Sequence, residues 1–244
     1  MAAKFPAIAA SRWHDHRVPV ASVSSDVQIA YETFGNPRDS AVLLVMGFGA
    51  QMIAWHEDLC QMLAGQGRYV IRYDNRDCGL STTWDQYPVD LMAFIGTVSA
   101  GDILAAQKMI PYTLSDMATD GINLLTAVGI ERAHVVGASM GGMIAQRMAI
   151  EHPSRVRTLT SMMSSTGEPE VGQSTPQAQQ VLFTPRPANR NGYISSAERE
   201  LVWASRRYPE LIPGAKLMLV PDMGHDRPRE LWTDLVTAIA DHTQ

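Results

Sequence analysis

Apolar residues fall along this chain in two rhythms, one of period two and one of period about 3.6, and the rhythms alternate. Residues 27–35, VQIAYETFG, switch between apolar and polar as a half-buried antiparallel strand does. Residues 40–47, SAVLLVMG, are a short apolar run closed by glycine, the pattern of a strand covered on both faces. A helical pattern covers 55–63, and a second buried strand at about 68–73 spills into the polar, glycine-bearing loop of RYVIRYDNRDCGLST. From there to about 112 no periodicity is clear. Thr113 and Asp116 then make a capping pair for an amphipathic helix whose apolar face carries Met117, Ile122, Leu124, Leu125 and Val128 and which ends at Gly129. RAHVVG reads as the next buried strand, MGGMIAQRMAIEH as a helix stopped by Pro153, and RVRTLTSMMSS as a further strand.

This β, α, β, α, β order predicts an α/β protein: a mostly parallel central sheet flanked by helices. Its length suits one domain over residues 1–244. From about 165 to 195 the composition turns to Gln, Pro, Thr, Ser and Asn, and 165–212 reads as a short lid or insertion within that domain. Late in the chain, ERELVWASRRY has the pattern of an amphipathic helix and AKLMLVP (215–221) that of the last strand. RELWTDLVTAIADH (229–242), behind Pro228, reads as a closing helix.

The charge balance narrows the function classes. With 45% hydrophobic residues, 18% charged and a net charge of −5, the chain is an ordinary globular protein without the basic excess a nucleic-acid partner requires. Its two cysteines, Cys60 and Cys78, offer neither a disulfide framework nor metal-ligand spacing, so idle reduced thiols are expected. The opening MAAKFPAIAASRWHDH lacks a sustained apolar segment, and no later stretch is apolar for long enough to span a bilayer. The expectation is a cytoplasmic protein with no membrane partner, no cofactor and no metal.

Chemistry concentrates at Gly137-Ala138-Ser139-Met140-Gly141, a G-x-S-x-G pattern placed where a strand turns into a helix. So sharp a turn strains the serine backbone, needs glycine on both sides, and lifts the hydroxyl above the carboxyl ends of the strands. It also sets the Met140 N–H at a helix N-terminus, where it can face a developing oxyanion. A nucleophilic serine needs a base. His225, in LVPDMGHDRP after the final strand, is the best placed histidine. His14 and His16 lie in the polar start, His56 opens a helix, His134 precedes a strand, His152 ends a helix and His242 is near the last residue. A second oxyanion donor is expected in VMGFGAQMIAW, where Gly47 and Gly49 let the backbone bend and the Phe48 N–H can join that of Met140.

The glycine loop after an early strand, RYDNRDCGLST, ERAHVVGASMGGMIAQ and DMGHD together resemble the α/β-hydrolase superfamily, in particular its aclacinomycin-methylesterase-like esterase branch. The likeness covers 25–165 and 213–242. It implies a serine carboxyl-ester hydrolase with Ser139 as nucleophile, His225 as base, and Phe48 and Met140 as oxyanion donors. It also implies that Asp74 and Asp77 hold their loop by hydrogen bonds and take no part in a catalytic triad.

One departure stands out. The family's acid ends a strand just before the histidine's own strand, and no such stretch exists here, so one strand fewer than usual is expected. A substitute can come from the loop after the sixth strand, where Glu168 lies with Glu170 next; a solvated loop glutamate is the plainer reading of Glu168. Asp222 and Asp226 flank His225 in sequence without favourable geometry. Serine at the turn argues against chemistry that needs a carboxylate nucleophile. Met46, Met52, Met140, Met143, Met162 and Met163 serve as core filler or line an adaptable pocket. With Phe48 and Trp55 nearby, a small-molecule substrate is expected: a small to medium apolar ester, cleaved through an acyl-enzyme. The competing expectation is a catalytically impaired relative that binds ligand with little turnover.

Overall fold

A computed structural model describes residues 18–168, 176, 180, 227 and 229–244. Among these the strands are β1 (Val20–Ser22), β2 (Gln28–Phe34), β3 (Ser40–Val45), β4 (Arg68–Tyr73), β5 (Ala133–Ala138) and β6 (Val156–Met162). The helices, numbered among the described residues, are α1 (Glu57–Gly65), α2 (Leu91–Ser99), α3 (Ile103–Gln107), α4 (Leu114–Ala127), α5 (Met140–Glu151) and α6 (Trp232–His242).

The six described strands form one sheet in the order β1-β2-β4-β3-β5-β6. β1 and β2 pair antiparallel, as do β2 and β4, while β4, β3, β5 and β6 run parallel. The parallel part explains the continuous apolar runs. Successive side chains of a strand point to opposite faces, and here both faces are covered. Leu43 and Val45 of β3 pack on one side with Ile122, Leu125, Ile144 and Met148 of α4 and α5. Val42 and Leu44 pack on the other with Leu59, Leu63, Val236 and Ile239 of α1 and α6. All six residues of β5 are buried.

One local expectation is met in full and a second is shifted by two residues. The Thr113 hydroxyl accepts from the Asp116 N–H and the Asp116 carboxylate accepts in return, a complete capping box at the start of α4. α1 starts at Glu57, later than the apolar pattern suggested, because His56 caps it: its Nδ1 accepts the Asp58 N–H at 3.1 Å.

Three features differ from the sequence reading. The aperiodic stretch before residue 112 folds as α2 and α3, begun by Asp90 and Asp102, whose carboxylates accept the N–H groups of Ala93 and Ala105 at 3.0 Å each. α2, LMAFIGTVS, has no charged residue and therefore no polar stripe, which hid its helical period. β1 is three residues long and left no pattern to read. His134 lies within β5 and does not precede it. Its ring is buried between neighbouring strands, Nε2 meeting Ser40 Oγ at 3.1 Å and Nδ1 meeting Thr158 Oγ1 at 2.9 Å. The expected strand at 215–221, the helix ERELVWASRRY, most of the 165–212 insertion and hence the strand count lie outside the described residues.

The topology fixes where a site can form. From β3 the chain passes through α1 to β4 on one side, then through α4 to β5 on the other. The loops leaving the carboxyl ends of β3 and β5 therefore diverge from a common point, the crevice where open α/β sheets bind ligands.

Candidate active site

Ser139 is the single residue between β5 and α5, with φ 56° and ψ −126°. That backbone region is nearly closed to residues with a side chain and costs on the order of 1–3 kcal/mol. Its neighbours hold it there: the Ser139 N–H donates to the Met162 carbonyl of β6 at 2.9 Å, and the Ser139 carbonyl accepts from the Gly142 N–H at 2.8 Å. The two flanking glycines are demanded by close approach of backbone. A Cβ on Gly137 would lie 2.1 Å from the Gly141 carbonyl oxygen, and one on Gly141 would lie 2.2 Å from the Val45 carbonyl oxygen. Although Ser139 occupies the N-cap position of α5, its hydroxyl makes no capping bond to the helix. Met140 follows as the first helical residue, and its N–H belongs to the first turn, where helix amides lack internal partners.

The loop after β3 presses directly on this turn. A Cβ on Gly47 would sit 2.9 Å from the Ser139 Cβ and 3.4 Å from its Oγ, so only glycine brings the loop this near. The Gly47 carbonyl accepts the Ala50 N–H at 3.4 Å, with Gly49 at φ 63°, which makes residues 47–50 a tight turn. Because the peptide is planar and trans, a Gly47 carbonyl turned inward to Ala50 directs the Phe48 N–H outward. The Phe48 side chain is exposed.

The loop after β4 braces the loop after β3. Asp74 accepts the Met52 N–H at 2.6 Å and the Leu80 N–H at 2.9 Å. Asn75 Nδ2 donates to the Met46 carbonyl at 2.8 Å. Asp77, itself at φ 60°, accepts the Trp84 N–H at 2.5 Å and the Tyr112 hydroxyl at 2.6 Å. Asp74 and Asp77 thus hold their loop in the manner the resemblance implied. Arg76 forms a paired bridge to Asp120 of α4, Nε to Oδ2 at 2.6 Å and Nη2 to Oδ1 at 2.7 Å. Its guanidinium also lies over the rings of Trp84 and Tyr112, at 4.8 and 5.1 Å.

The structure therefore brings Ser139, Met140 and Gly47 together, with Phe48 next in the Gly47 loop. Glu168 is exposed in the loop beyond β6, its N–H reaching Thr166 Oγ1 at 3.5 Å. His225, Asp222, Asp226 and Glu170 lie outside the described residues. Arg227, two positions beyond His225, is fixed to the loop that continues from Gly47: it donates to the Ala54 carbonyl at 2.7 Å and lies 4.5 Å over the Trp55 ring. The Trp232 indole N–H in turn donates to the Arg227 carbonyl at 2.7 Å. Sequence reasoning missed both Arg227 and Asn75, since neither belongs to a recognisable spacing.

Met46 and Met52 are buried, whereas Met140, Met143, Met162 and Met163 are half-buried. Both cysteines are buried, and burial pushes the Cys60 thiol up to about 12 and the Cys78 thiol up to about 11. Thiols so hard to ionise are not nucleophiles. Among the described residues there is no group of three or more His, Cys, Asp or Glu suited to a metal, and no helix long and apolar enough to cross a membrane.

Several known proteins are similar to this chain. Rhodomycin D methylesterase DauP of Streptomyces sp. (strain C5) is 32% identical over 147 residues, 60% of this chain and 42% of that protein. A putative carbamate hydrolase, RutD of Variovorax paradoxus (strain S110), is 31% identical over 129 residues, 53% of this chain and 40% of that protein. The chain thus matches about two fifths of the length of these relatives. In structure it is similar to a predicted CIB-like hydrolase from Thermoplasma acidophilum, with a TM-score of 0.58 and 16% identity over 91% of this chain and 97% of that one. It is also similar to 2-hydroxy-6-oxo-6-phenylhexa-2,4-dienoate hydrolase from Rhodococcus sp. strain RHA1, with a TM-score of 0.56 and 19% identity over 92% of this chain and 65% of that one. A family model described as the alpha/beta hydrolase fold matches residues 40–202, the span that holds β3, the Gly47 loop, Ser139 and β6, and the chain belongs to that family, with esterases among its relatives.

Proposed function

We propose that the protein is a serine hydrolase that cleaves carboxylic esters of small to medium apolar substrates through an acyl-enzyme. The observation that carries this reading is the strained Ser139 backbone at the start of α5, with the Gly47 loop packed against it. Strain of this kind persists only where the surroundings enforce it, and the close approach of the Gly47 loop to Ser139 supports the Phe48 and Met140 amides as oxyanion donors.

In this mechanism Ser139 Oγ attacks the ester carbonyl carbon while His225 takes its proton. The negative oxygen of the tetrahedral adduct is met by the Phe48 and Met140 N–H groups. Collapse expels the alcohol, which takes the proton from His225, and water then cleaves the acyl-Ser139 bond by the same steps in reverse. The anchoring of Arg227 beside the Gly47 loop supports His225 as the base. Glu168 is our proposed carboxylate for orienting His225, because it follows β6, the strand whose Met162 carbonyl accepts the Ser139 N–H. Exposed apolar side chains on loops at the carboxyl ends of the strands, Phe48, Ile53 and Leu80 among them, support an apolar substrate.

Incubation with a fluorophosphonate, followed by peptide mass mapping, tests the nucleophile. One adduct is expected, on Ser139, absent from Ser139→Ala; an unmodified Ser139 would overturn the reading. Glu168→Gln tests the acid. If Glu168 fixes the histidine, turnover falls by up to about 10⁴, and unchanged turnover makes Glu168 an ordinary loop residue. The exposure of Glu168 favours one second reading, a relative that binds its ligand with little turnover. That reading expects labelling of Ser139 without appreciable hydrolysis of any short apolar ester.

A further inference from the structure

The Gly47 loop poses a mechanical problem. Glycine is required at 47 because a Cβ there would strike Ser139. Yet glycine also leaves the adjoining peptides free to rotate, and the Phe48 N–H is useful to an oxyanion only while those peptides keep one orientation. Something outside the loop has to supply the restraint that the missing side chain cannot.

Two consecutive residues of the loop after β4 grip the two ends of this segment. Asp74 accepts the Met52 N–H at its far end, and Asn75 Nδ2 donates to the Met46 carbonyl at its near end. The Asn75 bond is the one that bears on the chemistry. The Met46 carbonyl belongs to the Met46–Gly47 peptide, so holding it fixes that peptide plane and with it the direction in which Gly47 enters the turn. Asn75 is itself held rigidly: it is 4% exposed, and its own carbonyl accepts the Cys78 N–H at 3.1 Å. Its amide oxygen is buried without a hydrogen-bond partner. Burying an unpaired acceptor opposes folding, and an apolar side chain of the same shape would avoid it. Turning the amide over would aim Oδ1 at the Met46 carbonyl and lose the one bond it makes. The side chain is thus placed for the Met46 contact at the expense of its other half.

We propose that Asn75 is a positioning residue for the oxyanion site, locking the Met46–Gly47 peptide so that the Phe48 N–H is preset for the transition state. It touches no substrate atom and acts through the loop alone. The proposal rests on the serine-hydrolase reading, and labelling of the wild-type protein at Ser139 tests that reading separately.

The test uses Asn75→Leu, which keeps shape while removing the donor and the unpaired oxygen together, and Asn75→Ala, which leaves room for water to reach the Met46 carbonyl. Hydrolysis of a short p-nitrophenyl ester, inhibition by an alkyl boronic acid that forms a tetrahedral adduct with serine, and the thermal midpoint are measured for each. In Asn75→Leu, kcat is expected to fall about 10-fold or more with KM within about 2-fold, and the boronic acid Ki to rise by the same factor as kcat/KM falls. Asn75→Ala is expected to lose less. Full kcat in a folded variant of a protein whose Ser139 is labelled overturns the proposal. So does a loss of kcat and KM together that follows the thermal midpoint without a matching change in boronic acid Ki, since that pattern marks a merely structural side chain. Should Asn75→Leu not fold, Asn75→Ala decides by the same criteria.

Discussion

Gly47 and Ser139 are packed so that the hydrogen atom of one glycine occupies the space in which any other residue would carry its Cβ, 2.9 Å from the serine Cβ. The same added carbon would lie 3.1 Å from the Ala138 carbonyl oxygen. Both obstacles belong to the β5–α5 turn, which is fixed by β6, so the Gly47 loop is the part that must yield. Gly47→Ala is therefore expected to move the Phe48 N–H away from the oxyanion position. Losing one such donor lowers kcat by about 10²–10³, while overpacking at one site destabilises by about 1–3 kcal/mol. Ester hydrolysis and urea unfolding of the same sample check both. Retention of full kcat would mean that the loop is not an oxyanion donor.

Ser139 has positive φ with a side chain attached, so removing the side chain relieves strain. Ser139→Gly is expected to abolish turnover and to stabilise the protein by about 1 kcal/mol. Ser139→Ala keeps the Cβ and the strain, and is expected to abolish turnover with little change in stability. Thermal or urea denaturation of the three proteins distinguishes the cases. A glycine variant no more stable than the alanine one would show that the backbone there is relaxed.

These two residues also show what could be read from the order of amino acids. The two glycines of G-x-S-x-G could be justified beforehand because a strand-to-helix turn crowds its own backbone, and the structure finds Gly137 against Gly141 and Gly141 against Val45. β3 and β5, at the centre of the parallel sheet, were legible because burial on both faces makes them largely apolar. α2 was not, because a helix without charge has no stripe, and β1 was not, because three residues carry no period. Asn75 was illegible for another reason. Its importance depends on a bond to a carbonyl 29 positions away, made across neighbouring strands, and no local spacing encodes such a contact. The same holds for Arg76 and Asp120, 44 positions apart.

Inside β5, burial pushes the His134 ring down to about 4, and the positive charges of Arg157, Arg68 and His242 act in the same direction. The ring is neutral in the folded protein and titrates near its ordinary value of 6.5 once unfolded. Between those values the unfolded chain binds more protons, so stability rises with pH there. The contribution is fully present above about pH 6.5 and is lost as pH falls toward about 4, amounting to at most about 3 kcal/mol. Urea titrations at neutral pH and near pH 4.5 should show a larger loss for the wild-type protein than for His134→Gln, which cannot be protonated. Parallel losses in the two proteins would place the acid sensitivity elsewhere.

Arg76 and Asp120 join the loop after β4 to α4 through a buried pair, their side chains only 9% and 5% exposed. Two charges in such a place are tolerable together, because each supplies the hydrogen bonds the other lost on leaving water. Asp120→Asn removes the negative charge and leaves the guanidinium buried, with only the Trp84 and Tyr112 rings for compensation. Breaking a buried pair from one side costs about 3–5 kcal/mol, and a loss of that order is expected, since the aromatic contacts are present before and after the change. Because Arg76 directly follows Asp74 and Asn75, the loosened loop should also relax the hold on Met46 and Met52. The folded fraction of Asp120→Asn is thus expected to show reduced kcat, while Asp120→Asn combined with Arg76→Met, which removes both charges, should recover stability. Urea unfolding of the single and double variants measures the first effect and active-site-titrated kinetics the second. A single variant as stable as the wild type would mean that the pair is well hydrated and does not brace the site.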